Sequence, residues 1–364
     1  MRIAFLDSWF QNILDGSGTA AGIGGLQQAL IAKGHHVARV APPVSWPQTI
    51  TVRRLLFNLH LPLLLRSLRY DLIIGYDIDG VLWSNQRDGS DTPYLVGIHG
   101  VIAEEMQHER GRVHWLFQAL ARLEGYNTRH ADAVLATSDY CRRAIERHYH
   151  VPTERLRIVS SGIDVPRWQA LGAARGKRDG ATILCVARQY PRKHVADLLR
   201  AMPAVRKAIP NAHAIIVGDG PEHAALRALA EQLNLGDAAV LTGALPDEQL
   251  RAMYQRADLF CLPSVQEGFG IVFLEAMASG LPVVATSAAA MPEVIPHGKA
   301  GLLVPPGDSP ALAEALITLL GDPAHRAAFA NYGQSYVERF DWPVVADRFL
   351  DTVRPFVRGA LRPA

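Results

Sequence analysis

A chain of 364 residues with 49% hydrophobic and 20% charged residues has the balance of a folded α/β enzyme, which excludes a disordered or fibrous polymer, and its length predicts two cores. The 37 Lys and Arg against 35 Asp and Glu leave a formal charge of +2, too little for the broad basic footprint of a nucleic-acid binder, so any anion site must be local. Cys141, Cys185 and Cys261 show no CxxC spacing and lie in apolar stretches, which predicts buried, reduced thiols, no metal ligation and a cytoplasmic setting.

In chain order, RIAFLDS is the first strand, and Asp7 ends its apolar run too early for a signal peptide. No later stretch reaches the roughly 18 apolar residues of a membrane span. In GIGGLQQALIAKGHHV, Gly24 and Gly25 are read as opening a helix, where their amides could meet a phosphate; a plain flexible turn is the alternative. The segment from Thr51 to Tyr70 mixes leucines with Arg53, Arg54, Arg66 and Arg69 and is interrupted by Pro62. It reads as a packed helix, with peripheral contact to an anionic membrane as the other use of such a composition. Strand-like runs continue through DLIIGYD, TPYLVGIHG, ADAVLATS and RLRIVSSGID. His99 leaves TPYLVGIHG, the fourth run, after RIAFLDS, HHVARVAPP and DLIIGYD, in a position to hydrogen-bond a sugar hydroxyl or a carbonyl.

A Gly, Ala and charge-rich stretch then reads as a linker over 169–180, between a first domain over 1–168 and a second over 181–340. The second series of strands is ATILCVARQ, AHAIIVGDG, AAVLTGAL, DLFCLPS, LPVVATS and AGLLVPPG. Helical patterns separate the runs in both series, the signature of two doubly wound parallel sheets that would face one another across a cleft. A helical tail over 341–364 could pack back on the first domain.

Two stretches of the second domain carry the chemistry. In VARQYPRKH, Arg188 and Lys193 follow a strand, and fixed cations there could stabilise a departing diphosphate. In EGFGIVFLEAMAS, Gly268 and Gly270 allow a tight turn into a helix whose first amides, from Gly270 through Ile271 and Val272 to Phe273, could cradle an anion. Glu267 stands before that helix start and Glu275 about 7.5 Å past it, so the two carboxylates could accept hydroxyl bonds from a sugar and a ribose.

These residues resemble glycosyltransferase family 4, whose members have the two-domain GT-B fold and retain the anomeric configuration. The likeness covers nearly the whole chain and is strongest from Thr182 to Pro306. The family's E-x7-E element matches Glu267 and Glu275, its donor-phosphate cations Arg188 and Lys193, its N-terminal Gly-Gly Gly24 and Gly25, and its cleft histidine His99. The resemblance extends donor contacts to Gly218, Gly243, Leu245 and Phe269. It implies a nucleotide-diphosphate-sugar donor, a sugar, lipid or small-molecule acceptor, no divalent metal, and a positioning role for Glu267 rather than a covalent one. This sequence departs from the family pattern at His194 and at Ala288 to Ala290, where glycines are usual, and at Ser161 in place of Asn.

Other readings predict different residues. Asp77 and Asp79 form a DxD that in the other main glycosyltransferase fold holds a divalent cation. A dehydrogenase would need a third glycine that VGDGPEHA lacks. A non-catalytic nucleotide-sugar binder, or a phosphorylase or epimerase of the same fold, would use the same anion cradle.

Overall fold

The computed structural model describes residues 1–9, 18–43, 49–66, 69–86, 92–173 and 181–357, which divide into two compact units. The first holds Met1–Gly162 and the chain from Trp342 onward, the second Ile163–Asp341.

The first unit alternates strand and helix as β1 (Arg2–Leu6), α1 (Gly18–Ala32), β2 (His36–Val40), α2 (Ile50–Arg66), β3 (Leu72–Tyr76), α3 (Val81–Gln86), β4 (Tyr94–Ile98), α4 (Ile102–Glu105), α5 (Gly111–His130), β5 (Ala133–Ala136), α6 (Asp139–Tyr149) and β6 (Leu156–Ile158). Its strands pair in parallel in the order β2-β1-β3-β4-β5-β6. Strands β3 and β4 are buried throughout, as expected for a parallel sheet covered on both faces. Phe57 and Leu61 of α2, Trp83 of α3, Ala121 of α5 and Ile145 of α6 pack on one face. Ile23, Leu26 and Leu30 of α1 pack on the other.

The second unit runs α7 (Val165–Ala173), β7 (Thr182–Val186), α8 (Val195–Ala208), β8 (His213–Val217), α9 (His223–Gln232), β9 (Ala239–Gly243), α10 (Asp247–Arg256), β10 (Leu259–Leu262), α11 (Ile271–Ala278), β11 (Val283–Thr286), α12 (Met291–Val294), β12 (Gly301–Val304), α13 (Ser309–Gly321) and α14 (Pro323–Val337). Its strand order is β12-β11-β10-β7-β8-β9, again all parallel. Helix α15 (Trp342–Val353) then belongs to the first unit, where Val345, Ala346 and Phe349 join the core beside α1.

Both sheets are of the doubly wound kind predicted from the alternating pattern. The stretch read as linker differs in detail: residues 169–173 are the end of α7, and 174–180 lie outside the described residues. Pro62, read as an interruption, sits inside α2, which continues to Arg66. All three cysteines are buried and free. No described helix is long and apolar enough to cross a membrane.

Candidate active site

In an open parallel sheet, ligands collect where the strand order reverses, because the loops leaving the two central strands diverge there. In the second unit that point lies between β7 and β10, and the loops that leave them carry the residues expected to do chemistry. After β7 the chain passes Arg188, which is exposed, and turns through Pro191–Lys193. After β10 it runs from Pro263 to Gly270.

Side chains and backbone clamp the two loops together. The Lys193 Nζ donates to Glu267 Oε1 at 2.6 Å, and Ser264 Oγ donates to the same oxygen at 2.8 Å. Arg192 Nε donates to Gln266 Oε1 at 3.0 Å, and the Val265 amide to the Arg192 carbonyl at 2.9 Å. Glu267 is only 8% exposed. Burial alone would raise its carboxyl, but Lys193, Arg192 and the Ser264 hydroxyl together hold it below the usual carboxylate range.

Helix α11 starts where the glycine pattern predicts. Gly270 has φ +87°, and a Cβ there would lie 2.6 Å from the Phe273 ring, so both conformation and space require glycine. The anion-attracting amides are fewer than expected. Phe273 N–H already donates to the Gly270 carbonyl at 3.0 Å, and the amides of Gly270, Ile271 and Val272 are those without an acceptor among the described residues. Further into the helix, Glu275 Oε2 accepts from Tyr254 Oη at 3.1 Å, and burial pushes its carboxyl up to about 7. The Tyr254 ring is fixed by stacking on Phe260, with ring centroids 6.1 Å apart.

The remaining donor residues divide by what they touch. Gly218, at φ +124°, passes so close to the Ala187 carbonyl that a Cβ would sit 2.0 Å from its oxygen, and its amide donates to the Gly243 carbonyl at 2.8 Å. Gly243 has φ +73° and open space on its Cβ side. Phe269 is buried edge-on against Phe340 at 5.7 Å, and Leu245 packs on the unit's core. Gly268 lies between Glu267 and Phe269 in the same loop. Two of the departures from the family pattern, His194 and Ala289, both adopt φ +49°. A left-handed residue is what a usual glycine would supply there. His194 is additionally held by Asp197, Nδ1 to Oδ2 at 3.0 Å.

In the first unit His99 directly follows β4. Burial lowers its pKa to about 4, so the ring is neutral at physiological pH. Its Nδ1 is buried without a partner among the described residues. A cavity of about 40 Å³ adjoins it, lined by Gly22, Thr137, Ser161, Trp342 and Phe349 among others. Gly22 is the residue that makes room: a Cβ there would approach His99 Nε2 to 3.1 Å.

The reading of Gly24 and Gly25 as a helix start is corrected, since both lie in the middle of α1, whose described part begins at Gly18. Their amides belong to the helix interior and are not the free amides of a helix end. Gly25 instead admits the indole of Trp342, 2.1 Å from where a Cβ would stand, and Gly24 faces Arg39. The DxD aspartates are likewise engaged by the protein. Asp79 accepts the Ser8 amide at 2.8 Å, its hydroxyl at 2.7 Å and Asn58 Nδ2 at 3.1 Å, while Asp77 accepts Trp9 Nε1 at 3.0 Å. They clamp the loops after β1 and β3, the reversal point of this sheet. Ser264, Tyr254 and Gly22 escaped the sequence reading because none stands in a recognisable motif, and Tyr254 and Gly22 act on residues distant in the chain.

The family described as Glycosyl transferases group 1 matches residues 172–336, and that described as Glycosyltransferase Family 4 matches residues 17–167. A GDP-mannose-dependent alpha-(1-6)-phosphatidylinositol monomannoside mannosyltransferase of Mycobacterium tuberculosis is 32% identical over 279 residues, covering 71% of each chain. Among solved structures, sucrose-phosphate synthase from Thermosynechococcus elongatus superposes with a TM-score of 0.81 at 23% identity, over 97% of this chain and 98% of that one. Anabaena HepE, solved in complex with UDP-glucose, does so with a TM-score of 0.76 at 21% identity, over 98% and 100%.

Proposed function

We propose, for a chain that belongs to glycosyltransferase family 4 and has its GT-B fold, that it moves a hexosyl group from a nucleoside-diphosphate sugar to a hydroxyl with retention of configuration and without a metal ion. That it is a glycosyltransferase follows from the family. The observation that carries the finer reading is the Lys193 ammonium, fixed at the sheet's reversal point on Glu267, the residue whose loop leads directly into the open amides of α11.

On this reading the diphosphate lies against the amides of Ile271 and Val272, and Lys193 with Arg188 opposes the charge that builds as the sugar–phosphate bond breaks. Glu275 accepts the ribose hydroxyls. Glu267 positions the lysine and the transferred sugar, and the departing phosphate takes the acceptor proton on the face it leaves. His99, kept neutral by burial, offers a hydrogen bond to a sugar hydroxyl. The mycobacterial relative is named for a phosphatidylinositol mannoside. We extend that to this chain as a lipid-borne acceptor at the inner face of a membrane.

The test is transfer in EDTA, with the product's anomeric configuration read by NMR. Undiminished turnover and an unchanged configuration are expected. Loss in EDTA that a divalent cation restores overturns metal independence, and an inverted product overturns the assigned roles of Glu267 and the phosphate.

A further inference from the structure

A surface helix normally turns leucines inward and arginines outward; α2 turns Phe57, Leu61 and Leu65 inward but also buries two arginines and exposes a row of apolar side chains. Arg53 is buried with its guanidinium on the carbonyls of Pro42 and Pro43, at 3.0 and 3.1 Å. Arg54 is buried between Asp77 and Asp79, at 3.5 and 3.8 Å, under the Trp9 ring. Val52, Leu55, Leu59 and Leu63 follow each other at helical spacing along the outer face, 44%, 45%, 60% and 66% exposed. Leu64 beside them is exposed as well, and no carboxylate occurs anywhere in α2. Such a row is too long for the scattered apolar residues of an ordinary surface.

Helix α3 packs against both α2 and α5 on the same face of the sheet. The first turns of α5 expose Val113, Leu116 and Trp115, the last at 68%. Arg110, Arg112 and Arg122 are exposed near them and make no ion pair among the described residues. Leucines without polar partners suit hydrocarbon better than a protein interface, whose centre favours aromatic, Met and Arg side chains. A tryptophan flanked by arginines suits the phosphate level of a bilayer.

We propose that the outer faces of α2 and α5 dock on a phospholipid bilayer, with the α2 leucines entering the acyl boundary and the α5 arginines meeting lipid phosphates. The inference rests on the reading of a lipid-borne acceptor, but assigns the surface and the force. It also replaces the electrostatic mode that the arginines of the sequence suggest, since Arg53 and Arg54 are committed to the interior. The face serves to hold the first unit at the depth where a lipid-borne hydroxyl emerges.

Co-sedimentation of the full chain with vesicles of phosphatidylcholine, alone and with phosphatidylglycerol added, tests it. Binding to both is expected, tighter with phosphatidylglycerol, and persisting on phosphatidylcholine at high salt. The double variant Leu59→Glu, Leu63→Glu should lose about tenfold or more in partitioning on both vesicles, and Arg112→Glu should lose less, and only where phosphatidylglycerol is present. Because the changed side chains are exposed, both variants should unfold at the wild-type temperature and hydrolyse donor at the wild-type rate in the absence of lipid.

Absence of vesicle binding overturns the proposal, and so does binding that requires phosphatidylglycerol and vanishes with salt. A wild-type dimer that the double variant dissociates also overturns it, by giving the face to a second copy of the chain. Loss of donor hydrolysis in the wild type with vesicle binding intact would instead refute the enzymatic reading and leave the surface standing.

Discussion

Replacing Lys193 by Met separates what the Lys193–Glu267 pair does for the fold from what it does for the reaction. The two side chains are 13% and 10% exposed and 2.6 Å apart, so removing the cation leaves a carboxylate shielded from water with the Ser264 hydroxyl as its side-chain hydrogen-bond donor among the described residues and the weaker pull of Arg192. Stranding a buried charge costs about 3–5 kcal/mol. In a unit of this size each kcal/mol moves Tm by about 2–4 °C, which predicts a fall of roughly 10 °C in calorimetry. The loss of a fixed cation at a developing diphosphate predicts a further drop in kcat of about 10²–10³. The second substitution decides between the two effects: in Lys193→Met, Glu267→Gln no buried charge remains, so Tm should recover most of the loss while kcat stays low. If the double variant regains turnover along with Tm, the lysine is purely structural. If the single variant melts like the wild type, the pair does not exist in solution.

Glu275 should make donor binding depend on pH. Its folded carboxyl is raised to about 7 from an ordinary 4.5, so the folded chain takes up a proton between those values, and the stability linked to this group falls as pH rises through that window. Binding runs the other way, because ribose hydroxyls need the ionised acceptor: KM for the donor should fall as pH rises through about 7. Tyr254→Phe removes a hydrogen bond that lowers the pKa, and should move that midpoint upward; a KM flat across neutral pH in both proteins would remove Glu275 from donor binding. The two glycines of α1 should differ. Gly25→Ala places a Cβ 2.1 Å from the Trp342 indole and should cost about 1–3 kcal/mol in denaturant unfolding. Gly24→Ala, with nothing nearer than 3.7 Å, should stabilise the helix by about 0.5–1 kcal/mol. A rise in donor KM for both, with stability unchanged, would return them to phosphate binding.

What the sequence makes legible here is local, and what it hides is set by partners far along the chain. Alternating strand and helix patterns suffice for two parallel sheets, because period and β-branching act within a few residues. The start of α11 is equally readable, since φ +87° at Gly270 is a demand on one residue. Gly24 and Gly25 mislead because a glycine pair looks the same at a helix start and at a close crossing, and the crossing partner Trp342 lies more than three hundred residues later. Arg53 and Arg54 mislead for the same reason. On a helical wheel they belong to water, and only Pro42, Pro43, Asp77 and Asp79, brought in by the neighbouring loops, give them a buried destination. The aspartates in turn resemble a metal motif until Ser8, Trp9 and Asn58 are seen to bind them. The two features are linked: the acidic pair holds Arg54, and with that arginine turned inward Val52, Leu55, Leu59 and Leu63 lie on the outer side of α2.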